Sequence, residues 1–176
     1  MIATSYTLTL PIDGGNNWRN VSNGLPDSID FRDIEAFSDL EALILSAGTP
    51  GLVYRTENGG LDWALAYEDH RSEIFFDAMG FWNNESGIAF GDAIDGLIEI
   101  ILTDDGGKSW RRLEEDRRPD ALEGEGGFAA SGTCLITRGD SSVWIAMGIP
   151  ESRVLYSGDR GQTWSYYTTP MIQDTG

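Results

Sequence analysis

Four tryptophans in this chain sit at a fixed offset from four glycines, and that regularity limits the fold more than any other feature. The segments are Pro11–Trp18 (PIDGGNNW), Thr56–Trp63 (TENGGLDW), Thr103–Trp110 (TDDGGKSW) and Ser157–Trp164 (SGDRGQTW). Each carries Asp or Asn two residues after its first position, a Gly two further on, then a Trp. The last three begin with a hydroxyl residue, Thr56, Thr103 or Ser157, and the first begins with Pro11. The tryptophans are 45, 47 and 54 residues apart. A period in that range suits a four-stranded propeller blade or a helical repeat.

The chemistry of the motif selects the hairpin. Asp13, Asn58, Asp105 and Asp159 can accept hydrogen bonds from backbone N–H groups just ahead of them and so imitate a turn. Gly15, Gly60, Gly107 and Gly161 can take positive φ, which a Cβ disfavours. The hydroxyls of Thr56, Thr103 and Ser157 can brace the acid or amide. Trp18, Trp63, Trp110 and Trp164 then open the next strand with a large apolar plate whose N–H needs a partner. A carboxylate committed to backbone N–H groups is a poor acid or base, so these residues are structural and none is assigned a catalytic role.

Between the motifs the apolar residues fall into short runs typical of strands. TSYTLTLP (4–11) and 17–21 form a half unit over 1–21. Then IDFRDIEAF with a bulged inner strand, LEALILSAG, LVYRT and DWALAY form a unit over 29–69. The segments EIFFDAMGFW, GIAFGD, LIEIILT and KSWRRL form another over 73–113. FAASGTCLITRGD, SVWIAMG, RVLYS and TWSYYTT form the last over 126–169. This predicts an all-β protein of about fourteen strands, two in the half unit and four in each of the others, with the turn motif between the third and fourth strands. No long amphipathic helix is visible.

Composition narrows the function. The net charge is −17, from 29 acids against 12 bases, which argues against nucleic acid, whose phosphates need a basic face, and against anionic membrane surfaces. Cys134 is the single cysteine and His70 the single histidine. An internal disulfide and a thiolate zinc cluster are therefore excluded, and Cys134, in a strand context, reads as a small buried hydrophobe. No Gly-rich loop opens a helix to hold a phosphate or dinucleotide. TDDGG and GDAIDG lack the alternating oxygen ligands of an EF-hand loop. No cofactor and no metal is expected. No run is long enough for a transmembrane helix, and the first residues lack a basic leader and alternate like a strand. As given, the sequence reads as cytoplasmic. Loss of an N-terminal segment would open a periplasmic or secreted location.

The turn motifs resemble the Asp-box, or bacterial neuraminidase repeat. Together with FFDAMGFWNNESGIAFGDAIDG (75–96), LTDDGGKSWRRL (102–113) and ALEGEGGFAASGTCLITRGD (121–140), they resemble the Asp-box propeller family described as photosystem II stability or assembly factor-like, or glycosyl-hydrolase-like. The resemblance covers nearly the whole chain and implies a β-propeller, typically of seven blades. Such a ring needs roughly twice these residues at this period. The chain is thus expected to form a partial propeller, three blades and a half, as a fragment, a split gene product or a self-associating half. A homodimer or other homo-oligomer that closes the ring is the preferred expectation, because an open arc leaves strand edges and blade faces bare.

Three groups of residues bear on chemistry. Sialidases resemble one another in an early Arg-Ile-Pro motif that is missing here, and the spacing of Tyr54-Arg55, Tyr67-Glu68 and Arg138 places them on no common site. A glycosidase needs two carboxylates about 5–10 Å apart, a weak criterion among so many acids. Asp77, Glu85, Asp92 and Asp95 are the cluster to inspect as a ligand or cation site, with turn-making as their ordinary role. Arg111, Arg112, Arg117 and Arg118 form a basic island, expected to pair with Glu114, Glu115, Asp116 and Asp120 or to meet an acidic partner. The favoured function is a non-catalytic binding or assembly module with a protein or glycan partner of unknown identity. The alternative is a carbohydrate-active enzyme or lectin-like binder.

Overall fold

The computed structural model describes residues 2–4, 7–127 and 132–171. Fifteen strands form four antiparallel sheets. The first contains β1 (Ile2–Thr4), β2 (Thr7–Pro11) and β3 (Trp18–Asn20). The second contains β4 (Phe31–Ala36), β5 (Ala42–Ser46), β6 (Gly51–Thr56) and β7 (Ala64–Asp69). The third contains β8 (Phe76–Phe81), β9 (Gly87–Ile94), β10 (Leu97–Thr103) and β11 (Arg111–Arg112). The fourth contains β12 (Leu135–Arg138), β13 (Ser142–Met147), β14 (Arg153–Ser157) and β15 (Ser165–Thr168). Every sheet is a meander in which sequence neighbours pair. The only helical turns among the described residues are 3₁₀ segments, Glu115–Arg117 and Gly132–Cys134.

The sheets stand around a common axis. β4 touches β8 and β8 touches β12, as the inner strands of successive blades do, and β1 touches β4 as β5 touches β8. The fold is a partial β-propeller. The half unit differs from expectation by one strand: it holds three, because Ile2–Thr4 pairs with Thr7–Thr9 ahead of the anticipated pair. Since its turn motif joins β2 to β3, its strands correspond to the second, third and fourth of a full blade. The innermost position of that blade carries no strand among the described residues.

Three apolar cores fill the three seams between neighbouring sheets. Leu8, Val21, Leu25 and Ile29 meet Phe31, Ile44 and Leu52 in the first. Leu43, Leu45 and Val53 meet Phe76, Ala89, Ile101 and Trp110 in the second. Ile88, Phe90, Ile100 and Leu102 meet Leu135, Val143, Ile145 and Leu155 in the third. Middle strands therefore serve two cores with alternate residues: Ile44 faces the first seam while Leu43 and Leu45 face the second. This explains why ALILS and LIEIILT read as unbroken apolar runs. A strand covered on both faces has no solvent side to mark with polar residues. The anticipated bulge in the inner strand is present at Phe31/Asp33, and β8 repeats it at Phe76/Ala78.

Candidate functional site

The turn motifs form one hydrogen-bond pattern. Thr103 Oγ1 donates to Asp105 Oδ1 at 2.8 Å and accepts from Gly107 N at 3.0 Å, while Asp105 accepts from Ser109 N at 3.0 Å and Ser109 Oγ at 2.6 Å. Ser157 and Asp159 repeat it with Gly161, Gln162 and Thr163. Thr56 and Asn58 repeat it with Gly60 and Asp62. The first copy has no hydroxyl, and Asp13 holds Asn17 by backbone and side chain. Partial burial works against the charge of Asp105 and Asp159, but bonds from Ser109 and Thr103, and from Thr163 and Ser157, outweigh it and hold both below the usual carboxylate range. Such groups stay ionised and offer no proton.

The motif also joins the blades. Trp63, Trp110 and Trp164 each pack into the core shared with the preceding sheet. The turn glycines follow them. A Cβ on Gly60 would lie 2.7 Å from Cβ of Val21, one on Gly107 would collide with Leu43, and one on Gly161 would lie 3.3 Å from Ile88. Three of the indole N–H groups find carbonyls: Trp63 to Val21 O at 2.7 Å, Trp18 to Gly15 O and Trp164 to Gly161 O at 3.0 Å. Trp110 Nε1 is buried without a partner among the described residues.

The acidic cluster separates. Asp77 and Asp92 come together where β8 and β9 run under Gly126 and Gly127, and Gly127 N donates to Asp92 Oδ1 at 3.1 Å. Glu85 lies in the β8–β9 turn and Asp95 in the β9–β10 turn, at opposite ends of β9. Asp95 has φ 54° and Gly96 φ 78°, the paired positive values of a tight two-residue hairpin, so its role is the turn. Asp77 is 1% exposed and its Oδ2 has no partner among the described residues. Burial first and the charge of Asp92 second push it up to about 8, against the pull of Arg32. Burial raises Asp92 and Asp33 as well. Among the described residues no group of three or more His, Cys, Asp or Glu could hold a metal ion.

The most charged constellation centres on Glu99, which the sequence reading passed over as part of an apolar strand. Glu99 is fully buried on β10, on the Ile101 side facing the second sheet, and three arginines converge on it. Arg112 donates through Nε at 2.8 Å and through Nη2, Arg71 through Nη2 at 2.6 Å, and Arg118 through Nη1. Asp69 holds Arg71 from the other side. Burial alone would raise Glu99, but hydrogen bonds from Arg112 and Arg71 hold it below the usual range. The basic island thus departs from its expected local pairing. Arg112 and Arg118 turn inward to Glu99, Arg111 meets Asp104 at 3.0 Å, Arg117 meets Gln162, and only Arg118–Glu115, at 3.6 Å, is of the anticipated kind. The connection 114–127 carries buried Arg118 and Glu125, the latter paired with Arg153.

This site lies at the end of the blade away from the turn motif, built by β10, β11 and the connections that follow β7 and β11. Its three guanidinium groups face three carboxylates, Glu99, Asp69 and, at 3.6 Å from Arg118, Glu115. Arg118 is sealed, but the side chains of Arg71 and Arg112 are 30% and 36% exposed, and neither uses its Nη1 among the described residues. Two partly exposed guanidinium edges on a rigid base suit a carboxylate or another planar anion. The recruited residues of a sialidase do not gather here: Arg55 is occupied by Glu41, Glu57 and Gly106 O.

Fold and site together define a partial β-propeller with a buried glutamate held by three arginines between two of its blades. No family model matches the chain. The chain is 32% identical over 108 residues to the photosystem II assembly lipoprotein Ycf48 of Synechococcus sp. (strain CC9902), a match spanning 59% of this chain and 30% of that protein. Solved structures similar to it include YCF48 bound to D1 peptide, at 17% identity and TM-score 0.48 over 94% of this chain and 76% of the other. YCF48 from Cyanidioschyzon merolae matches at 18% identity and TM-score 0.47 over 97% and 68%.

Proposed function

We propose that this chain is a non-catalytic assembly module that binds an extended segment of another protein and completes its Asp-box propeller by self-association. The observation that carries the reading is the cluster at Glu99, where the side chains of Arg71 and Arg112 stay partly exposed, each with its Nη1 unused among the described residues, in a protein of net charge −17. A free C-terminal carboxylate or an acidic side chain of a peptide is the group that two such edges would hold in bidentate fashion. Similarity to a photosystem II assembly protein supports the same class of task, and a D1 peptide is the first partner to try. The acids favour no second, catalytic reading. Those of the turn motifs hold backbone N–H groups, and beneath a loop Asp77 is buried and Asp92 half-buried. The most exposed aromatics, Trp18, Tyr166 and Tyr167, lie on strands and not grouped on one loop face as a glycan platform needs.

The test is a titration of the chain with fluorescent peptides ending in a free carboxylate, a D1 peptide among them, and with their C-terminal amides. Binding that weakens at least tenfold on amidation and in Arg112→Gln supports the reading. Peptide binding indifferent to both changes, or none at hundreds of micromolar, overturns it.

A further inference from the structure

Each turn motif sets its third residue against its seventh, and the pair holds one carboxylate and one donor. Asp105 accepts from Ser109 Oγ and Asp159 from Thr163 Oγ1, both at 2.6 Å, and Asp13 accepts from Asn17 Nδ2 at 2.5 Å. The second blade reverses the roles: Asn58 Nδ2 donates to Asp62 Oδ2 at 3.0 Å. The reversal places an asparagine directly before Gly59. Asparagine is a thermolabile residue, most of all before glycine, which has no side chain to shield its own nitrogen from the neighbouring amide carbon. One other such pair occurs in the chain, Asn23-Gly24.

The fold treats the two pairs differently. Gly59 is buried. Its N–H donates to Leu40 O at 2.8 Å, and its carbonyl accepts from Arg19 Nη2 of the first sheet at 3.1 Å. Asn58 Oδ1 accepts from Thr56 Oγ1 and from Asp62 N, both at 3.0 Å. The nucleophile and its target are thus each committed elsewhere. The anchor belongs to the blade design, since Gly106 N donates to Glu85 O at 2.8 Å in the same way. Asn23 and Gly24 are exposed. Leu25 N donates to Ser22 O at 3.0 Å across them, and the Gly24 N–H has no partner among the described residues.

We infer that Asn58 is a modification site gated by the fold: sealed in the native blade, and deamidated in the unfolded chain to a product that no longer closes the second turn motif. In the step, Gly59 N bonds to Asn58 Cγ, the Cγ–Nδ2 bond breaks, and ammonia leaves with the Gly59 proton. Water then opens the cyclic imide at either carbonyl, giving aspartate or isoaspartate. Aspartate at 58 sets a carboxylate against Asp62, like charges in place of a hydrogen bond. Isoaspartate adds a methylene to the main chain inside a hairpin closed by Gly60 N donating to Thr56 Oγ1 at 2.9 Å. Only opening of the β4–β5 turn and of the first seam frees Gly59, so the reaction follows the unfolded population, and each event leaves a permanent mark.

Peptide mapping of the chain aged at mildly alkaline pH, native and in concentrated urea, tests the gate, with Asn23 as the internal control. Both asparagines should convert in urea. In the native protein Asn23 should keep converting while Asn58 slows at least tenfold. A native rate for Asn58 within tenfold of its rate in urea overturns the inference. Substitution tests the product. Asn58→Asp should lower the urea midpoint by about 0.5 M or more. Asn58→Asp combined with Asp62→Ser, which copies the Asp105–Ser109 pair, should regain at least half of that loss. An Asn58→Asp midpoint equal to the parent's, or a double variant no better than the single one, overturns the inference. An Asn58→Asp chain that fails to fold while the double variant folds supports it.

Discussion

Gly107 rests on Leu43. The glycine belongs to the third blade and the leucine to the second, and the turn approaches so closely that a Cβ at 107 would enter the leucine side chain. The glycine also holds φ 77°, so it answers to backbone conformation and to the neighbouring blade. These two demands can be separated.

Gly107→Ala should destabilise by about 2–4 kcal/mol, combining left-handed strain with overpacking of the second seam. Gly15→Ala has the strain without a neighbouring blade in its own chain and should cost about 1 kcal/mol. Urea unfolding of the two variants checks the difference. Equal losses would mean that the turn, not the seam, governs the choice of glycine.

Asp105→Ala should lose about 1–2 kcal/mol, since Ser109 N and Thr103 Oγ1 lose their acceptor. Asp105→Asn should lose less than about 1 kcal/mol, because Asn58 already performs the same acceptance in the second blade. Asp105 is held below its unfolded value, so its contribution is present above that value and fades as pH falls through the folded one. The asparagine variant should therefore unfold with a shallower acid limb, measured by circular dichroism below pH 5.

Glu99→Gln leaves Arg118, whose side chain is 2% exposed, with only its longer contact to the exposed Glu115. A buried charge stripped of its partner costs about 3–5 kcal/mol, and the chemical-denaturation midpoint should fall accordingly. Arg71 and Arg112, being partly exposed, can turn to water and add little. A loss under 1 kcal/mol would show that Glu99 does not anchor the cluster.

Asp77 gives a pH dependence of the opposite sign. Its folded value of about 8 lies above the ordinary aspartate value of 3.8, so between roughly pH 4 and 8 the native state retains a proton that the unfolded chain releases. Stability then falls as pH rises through that window, by at most about 1.4 kcal/mol per unit. Asp77→Asn removes this term, and its melting temperature should exceed that of the parent at pH 8 by more than it does at pH 5. Parallel melting curves for the two proteins across that range would contradict the assignment.

The legible parts of this protein were those with local causes. The turn motifs announce themselves because Asp, Gly and Trp must stand at fixed offsets for one hairpin to close, and the apolar runs announce two-sided burial. The extra strand Ile2–Thr4 was missed because three residues carry no usable periodicity. The cluster at Glu99 was missed because its members are dispersed. Arg71, Glu99, Arg112 and Arg118 belong to four segments, and the basic island pointed at acids beside it in sequence when its true anion was across a hairpin. One signal was available, an acid alone inside LIEIILT, since a charge in a doubly covered strand must be paired. The grouping of Asp77, Glu85, Asp92 and Asp95 failed for the converse reason: nearness in sequence, when β9 holds Glu85 and Asp95 a strand's length apart.

The sharing of middle strands between cores has a mechanical result. Ile101 of β10 belongs to one seam and Ile100 to the next, so pulling that strand loosens both neighbours together. No blade can detach as a unit, and a protease should find either the whole arc or small peptides, with no stable fragment the size of a single wedge.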